Sequence, residues 1–227
     1  MTGTVVGVVD YGLGNLFSVQ RAILKVGGIP QLVSTPEALA SSPRLILPGV
    51  GAFGDGMAGL SRHGLDEAIR SYAKTGRPLL GVCLGMQLLM DRGHEFGVHQ
   101  GLGVVPGEVV VIPPATPGPG AYKVPHVGWT ALEPAGDPVR SWDNTLLAGL
   151  AAGAEVYFVH GFMVQTALAR HALARTVYGG HRFCSVLSVD NVHGTQFHPE
   201  RSGRIGLQIL KNFLTLDSPA PRRPGSP

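Results

Sequence analysis

The 227-residue chain is poor in charge, cysteine and long apolar runs, and each shortage excludes a class. Only 15% of residues are charged, against a typical ~25%. The net charge is +3, part of it from Arg222-Arg223 near the end. No basic stripe interleaved with aromatics is present, so nothing marks a nucleic-acid partner. The two cysteines, Cys83 and Cys184, could pair. They do not amount to a disulfide framework, and a chain of this length can bury a core without one. No apolar run approaches ~20 residues, so no membrane-spanning helix is expected. Met1-Thr2-Gly3-Thr4-Val5-Val6 has neither the basic start nor the apolar stretch of a signal peptide. Together these point to a reducing, cytoplasmic setting. His94 and His99 lack the spacing and cysteine neighbours of a zinc site. Gly12-Leu13-Gly14 lacks the third glycine and the Lys-Ser/Thr of a phosphate loop. No metal or cofactor is expected.

Against these shortages stands a hydrophobic content of 44% arranged in punctuated runs. Val5–Val9, 31–34, Leu45–Leu47 and the run ending at Val82 read as buried strands. Between them, Leu16, Val19, Ile23 and Val26 recur at helical spacing, as do Leu60, Leu65, Ile69 and Tyr72. Strands alternating with helices predict right-handed crossovers and a mainly parallel sheet covered on both faces. After Gly101 the texture changes. Runs at 104–112, 124–132, 156–162 and Ala172–Tyr178, and a hairpin about Asp190-Asn191, predict an added antiparallel section. A loop rich in Pro and Gly spans 113–120, and Ser202 is expected to cap a last helix carrying Ile205, Ile209, Leu210 and Phe213. The expected class is α/β with a mixed, mainly parallel sheet. Residues 1–216 are expected to form one domain and 217–227 a disordered tail.

The chemistry centres on Gly81-Val82-Cys83-Leu84-Gly85, at the end of the fourth strand. G-x-C-x-G between a strand and a helix is the nucleophile-elbow pattern with Cys in place of Ser. The two glycines keep side chains out of a crowded turn. The helix start offers unpaired N–H groups and a partial positive charge that favour thiolate over thiol. It also aims the Leu84 N–H at an oxyanion. The plainer alternative is a small buried hydrophobe at a strand end. Downstream, Gln196-Phe197-His198-Pro199-Glu200-Arg201-Ser202 supplies an imidazole and a carboxylate two positions apart. A thiolate nucleophile needs both, one to carry the proton and one to orient the carrier. A surface His and Glu at a strand end is the competing reading. Gly49-Val50-Gly51-Ala52-Phe53-Gly54 matches G-x-G-x-x-G after a strand. A dinucleotide site would want an acid at the end of the next strand, where this chain has Cys83. Gly49, Val50 or Gly51 can instead supply a second oxyanion donor. His160, inside an apolar run, reads as a satisfied core histidine.

Taken together, these stretches resemble the class I, triad-type glutamine amidotransferases. Asp10-Tyr11-Gly12-Leu13-Gly14-Asn15-Leu16, Val124-Pro125-His126-Val127-Gly128-Trp129 and Tyr157-Phe158-Val159-His160 narrow the likeness to the glutaminase subunits of imidazole glycerol phosphate synthases. The likeness runs from about Val5 to Leu214. It implies a flavodoxin-like fold and hydrolysis of L-glutamine to glutamate and ammonia. The ammonia would pass to a (β/α)8-barrel synthase subunit, which makes imidazole glycerol phosphate and an aminoimidazole carboxamide ribotide. The resemblance makes Cys83 the nucleophile, His198 the acid/base and Glu200 its orienter. Leu84, Val50 and Gly51 would form the oxyanion hole. Gly49, Gly51, Gln87 and Glu95 would hold glutamine, and Asn15, His126, Trp129 and Arg201 would meet the partner. The chain departs from the pattern at Arg201, usually Lys, at Thr130, usually Asn, and at Gly161-Phe162, where a hydroxyl and an aromatic are common. A glutaminase of anthranilate or pyridoxal phosphate synthesis, and a silent regulatory scaffold, are the other readings.

Overall fold

A computed structural model describes residues 3–114, 121–136 and 139–216. Most of the expected Pro/Gly loop and the tail from Asp217 lie outside the described residues. In chain order the first half runs β1 (Val5–Val9), α1 (Leu16–Lys25), β2 (Ile29–Val33), α2 (Pro36–Ser41), β3 (Leu45–Leu47), α3 (Phe53–Arg62), α4 (Leu65–Ala73), β4 (Leu79–Val82) and α5 (Leu84–Leu88). There follow β5 (Arg92–Gly93), β6 (His99–Gln100), β7 (Gly107–Val111), β8 (His126–Ala131), β9 (Glu133–Pro134), β10 (Glu155–His160) and β11 (Phe162–Thr166). The chain closes with β12 (Ala172–Tyr178), β13 (His181–Val189), β14 (Val192–Thr195), a 3-10 turn over Pro199–Arg201 and α6 (Gly203–Thr215).

Among the described residues the central sheet has eight strands in the order β2-β1-β3-β4-β14-β13-β12-β9. β2, β1, β3, β4 and β14 run parallel, and β13, β12 and β9 continue the sheet antiparallel. This is the mixed, mainly parallel sheet expected. Its inner strands are buried on both faces. Ile46 and Leu80 join the apolar cluster on one side, while Leu45, Leu47 and Leu79 join the cluster on the other. A continuous apolar run is what a sheet sandwiched between helices requires. A four-stranded sheet, β11-β7-β5-β6, and a two-stranded ribbon, β10-β8, pack against the β12–β13 part of the central sheet, β11 on β13 and β8 on β12.

One helix goes unannounced in the sequence, and two local expectations are corrected. Helix α2 has no apolar periodicity long enough to announce it. Its signal is Thr35, which accepts from the Ala38 N–H, followed by Pro36 in the first turn. The run 156–162 is not one strand: it breaks at Gly161 into β10 and β11, which pair in different sheets. Ser202 does precede α6 but its side chain does not cap it. Its hydroxyl donates to the His198 carbonyl at 2.7 Å and accepts from the Tyr157 N–H at 3.0 Å.

The crossover from β4 into α5 passes through a space that admits no side chain. A Cβ on Gly85 would lie 1.8 Å from the Leu47 carbonyl oxygen, and one on Gly81 would lie 2.7 Å from Met86 Cα. Backbone so placed cannot yield as a flexible side chain would. Gly85→Ala should therefore destabilise the fold by at least about 2 kcal/mol, within the range of overpacking penalties and above. Urea unfolding followed by circular dichroism checks this through the midpoint, and a midpoint unchanged within error would contradict the tight passage.

Candidate active site

The end of β4 is where the site is built. Cys83 has φ +53 and ψ −111, outside the ordinary regions for an L-residue. Such a conformation costs about 1–3 kcal/mol and persists only when its surroundings enforce it. Here the Cys83 N–H donates to the Thr195 carbonyl at 2.7 Å, locking the turn to β14. Leu84 opens α5, so its N–H has no carbonyl a turn earlier within that helix. Cys83 is 7% exposed, and its thiol opens onto a cavity of about 350 Å³ lined by Val50, Gly51, Gln87, Glu95, His160 and His198, among others.

His198 and Glu200 come together as the triad reading requires. The His198 Nδ1 and the Glu200 Oε1 are 2.8 Å apart, and both side chains are buried. Pro199 turns the chain so that the carboxylate folds back under the ring. Gly206 lets α6 pack directly on this turn, since a Cβ there would lie 1.9 Å from the Pro199 carbonyl oxygen. The His198 backbone is fastened to β10 by its own N–H to the Tyr157 carbonyl, 3.1 Å. Its Nε2 is buried with no nitrogen or oxygen partner and no hydrogen bond of ordinary geometry. Cys83 lines the same cavity, and besides Glu200 its thiol is the group that acts on the charge of the ring. Burial pulls the imidazole toward neutrality, but hydrogen bonding and charge from Cys83 and Glu200 outweigh it and raise its pKa to about 10. The protonated imidazole is thus the form favoured at this position.

A second set of buried side chains surrounds the sulfur. Gln196 Nε2 points at Cys83 Sγ at 3.9 Å, and the Gln196 Oε1 accepts from Gln87 Nε2 at 3.2 Å. Gln87 Nε2 also donates to the Phe162 carbonyl, 3.1 Å. The same carbonyl accepts from His160 Nδ1 at 2.8 Å. A carbonyl can only accept, so His160 carries its proton on Nδ1. Its Nε2 then accepts from His126 Nδ1 at 3.1 Å, and His126 Nε2 accepts from the Thr130 hydroxyl at 2.8 Å. Burial lowers both rings, His126 to about 4 and His160 to about 3, so the pair stays neutral. His160 is the satisfied core histidine expected, and it also lines the cavity.

The other expected site residues divide. Gln87, Glu95, Val50 and Gly51 line the cavity with Cys83, as does Arg201. Glu95 reaches it from the β5–β6 turn while its Oε2 accepts from the Phe53 N–H at 2.8 Å. Gly49 sits one layer behind, where a Cβ would meet Leu84 and the Tyr11 hydroxyl. Trp129 is 52% exposed, and Asn15 and Arg201 are exposed. Arg201 stacks on Tyr157, 4.7 Å from its centroid, and Tyr157 meets Trp129 edge-on. Asn15 accepts from the Ser18 N–H and caps α1. His126 is only 1% exposed, so it does not present itself at a surface. Strand alternation is the reason: 127 and 129 point out, 126 and 130 inward. That period was readable in the sequence. Gln196 and Tyr11 carried no such signal.

Because Cys83 is a principal source of the raised His198 value, removing the sulfur has a signed consequence. In Cys83→Ala the His198 imidazole should lose its proton at a lower pH than in the unaltered chain. A ¹⁵N-detected titration of the ring reads this directly, and identical curves would show that Cys83 and His198 do not interact.

Comparison with known proteins agrees with this geometry. Residues 7–216 match the family described as glutamine amidotransferase class-I. The imidazole glycerol phosphate synthase subunit HisH 1 of Legionella pneumophila (strain Lens) is 44% identical over 93% of this chain and 99% of its own length. The corresponding HisH subunit of Wolinella succinogenes is 45% identical over 93% and 99%. Among solved structures, PurLQS from Thermotoga maritima superposes with a TM-score of 0.70 at 20% identity, covering 94% of this chain and 98% of that one. A structure described as a glutamine amidotransferase gives a TM-score of 0.69 at 20% identity, over 93% and 97%. At such identity these structures speak for the fold. The strained cysteine turn, the buried His–Glu pair and the near full-length likeness lead to one assignment: the chain belongs to the class-I glutamine amidotransferases, in the family of imidazole glycerol phosphate synthase HisH subunits.

Proposed function

We propose that the chain hydrolyses L-glutamine at Cys83 and delivers the ammonia to a synthase partner in histidine biosynthesis. The observation that carries this reading is the meeting of Cys83 and His198 at one cavity, with Glu200 bonded to the far side of the imidazole. The sulfur attacks the side-chain amide carbon and generates a tetrahedral oxyanion. The N–H groups of Leu84 and of Val50 or Gly51 receive that charge. Donors of this kind are each worth about 10²–10³ in turnover. Protonated His198 gives its proton to the departing nitrogen, so ammonia leaves and a thioester remains. The imidazole, now neutral, takes a proton from water, which attacks the thioester and frees glutamate. Glu200 holds the ring so that Nε2 faces the sulfur throughout. Gln87 and Glu95 line the glutamine subsite, with the backbone of Gly51 as its rim.

We assign the partner surface to Asn15, Trp129 and Arg201, the exposed members of the expected set. His126 supports that surface from beneath through Thr130. The partner is a synthase subunit, as the names of the relatives imply, and we assign it the (β/α)8 fold. The cytoplasm is the compartment proposed, and among the described residues no helix is long and apolar enough to cross a membrane. The near full-length likeness to HisH subunits favours this pathway over anthranilate or pyridoxal phosphate synthesis. The assembled Cys83, His198 and Glu200 argue against a silent scaffold.

Two outcomes are expected. Glutamate release should be slow with the chain alone and rise when the synthase subunit and its ligand are added; equal rates would count against coupling. Cys83→Ala should abolish glutamine-dependent synthesis by the complex while free ammonia still supports it. Loss of both activities would place the defect in folding or docking instead of in the nucleophile.

A further inference from the structure

Tyr11 is a buried ionisable group that the mechanism above does not use. It follows β1, is 2% exposed, and belongs to the apolar cluster on the α3 side of the sheet. Its hydroxyl donates to the Pro48 carbonyl at 2.9 Å, its one hydrogen-bond partner among the described residues. Burial, and then the nearby charge of Cys83, push the phenol well above its ordinary range, so it remains a donor at any working pH.

Two glycines define where the ring can be. A Cβ on Gly59 of α3 would lie 3.0 Å from Tyr11 Cδ2, and one on Gly49 would lie 2.5 Å from the Tyr11 hydroxyl oxygen. The same Cβ on Gly49 would lie 2.9 Å from Leu84 Cβ and 3.0 Å from the Gly85 nitrogen. Tyr11 is therefore wedged between α3 and the segment that leads from β3 into the cavity, directly behind the elbow. Beyond Gly49 that segment is open. Val50 is 42% exposed, and Gly51, at φ +107, has no atom near its would-be Cβ. The Val50 and Gly51 N–H groups donate no hydrogen bond among the described residues. At its far end the segment is fastened again, where Glu95 accepts from the Phe53 N–H.

From this arrangement we infer that Tyr11 is a positioning residue for the oxyanion hole. Its hydroxyl fixes the Pro48–Gly49 peptide, and with it the side of the cavity from which Val50 and Gly51 present their N–H groups. The inference rests on the proposed glutaminase reaction. It adds a residue that touches neither substrate nor sulfur but sets the geometry of the charge-stabilising backbone. A free pair of peptides between two anchors keeps its direction only if both anchors hold. A displacement of about 1 Å at such a site can cost about 10² in rate.

Tyr11→Phe removes one oxygen and leaves the ring between Gly49 and Gly59. Three quantities are measured on this variant, on Cys83→Ala and on the unaltered chain, each in complex with the synthase subunit. They are kcat and KM for glutamine hydrolysis, the rate of Cys83 alkylation by iodoacetamide, and ammonia-dependent synthesis. Alkylation needs a reactive sulfur but no oxyanion donor, whereas amide attack needs both. For Tyr11→Phe, kcat should fall at least about tenfold with KM within about threefold. Alkylation and ammonia-dependent synthesis should stay within about twofold of the unaltered complex. A kcat within twofold of the unaltered complex would overturn the inference. So would a parallel loss of alkylation, which would make the hydroxyl a general support of the elbow. If the unaltered complex shows no glutamine hydrolysis that Cys83→Ala removes, it is the glutaminase reading itself that fails.

Discussion

The structure depends on a residue held in a backbone conformation it would not choose. Cys83 sits at positive φ because β4 must end and α5 must begin within a single residue. The packing on both sides explains how the strain is tolerated. Gly85 lies against the Leu47 carbonyl, Gly81 against the first turn of α5, and the Cys83 N–H is tied to β14. With the turn so fixed, the sulfur has one place to be. It stands at the end of the parallel strands, where the free helix N–H groups are also found. A relaxed turn would bury the thiol as an ordinary small apolar side chain.

The imidazole is brought to this point by a different part of the chain with equal restraint. His198 is fastened through its main chain to β10, through its ring to Glu200 and through its carbonyl to Ser202. Burial by itself would discharge the ring, as it does for His126 and His160 in the same region. What sets His198 apart is a pair of partners that prefer it charged. Two histidines on one cavity, His198 and His160, thus take opposite protonation states, because the first has Glu200 and Cys83 beside it and the second is bonded to an acceptor carbonyl and to neutral His126. The neutral pair fixes its own hydrogen-bond direction and, through Phe162, Gln87 and Gln196, joins the inner face of β8 to the surroundings of the sulfur.

Much of this was legible before any coordinates. The alternation of apolar runs and helical periods gave the parallel half of the sheet. The glycines flanking Cys83 gave the elbow, and His198-Pro199-Glu200 gave its partners. What was hidden is of two kinds. Some of it is short-range: α2 rests on a cap and a proline, and Gly161 breaks one apolar run into strands of two sheets. The rest is long-range. Nothing near Gln196 in the sequence says that its amide meets both Gln87 and Cys83, and nothing near Tyr11 says that its hydroxyl reaches Pro48. Such contacts follow from which strand ends the topology places side by side. His126 shows the opposite case, since the strand period of its own segment already directs it inward.

The central claim is that the His198 ring, held by Glu200, keeps the Cys83 sulfur in its reactive form. The most direct measurement is the rate at which iodoacetamide modifies each cysteine, mapped by mass spectrometry, in the unaltered chain and in His198→Asn. The account predicts fast modification at Cys83, none at the buried Cys184, and a fall of at least about tenfold at Cys83 when the imidazole is replaced. Equal rates at Cys83 in the two proteins would contradict it.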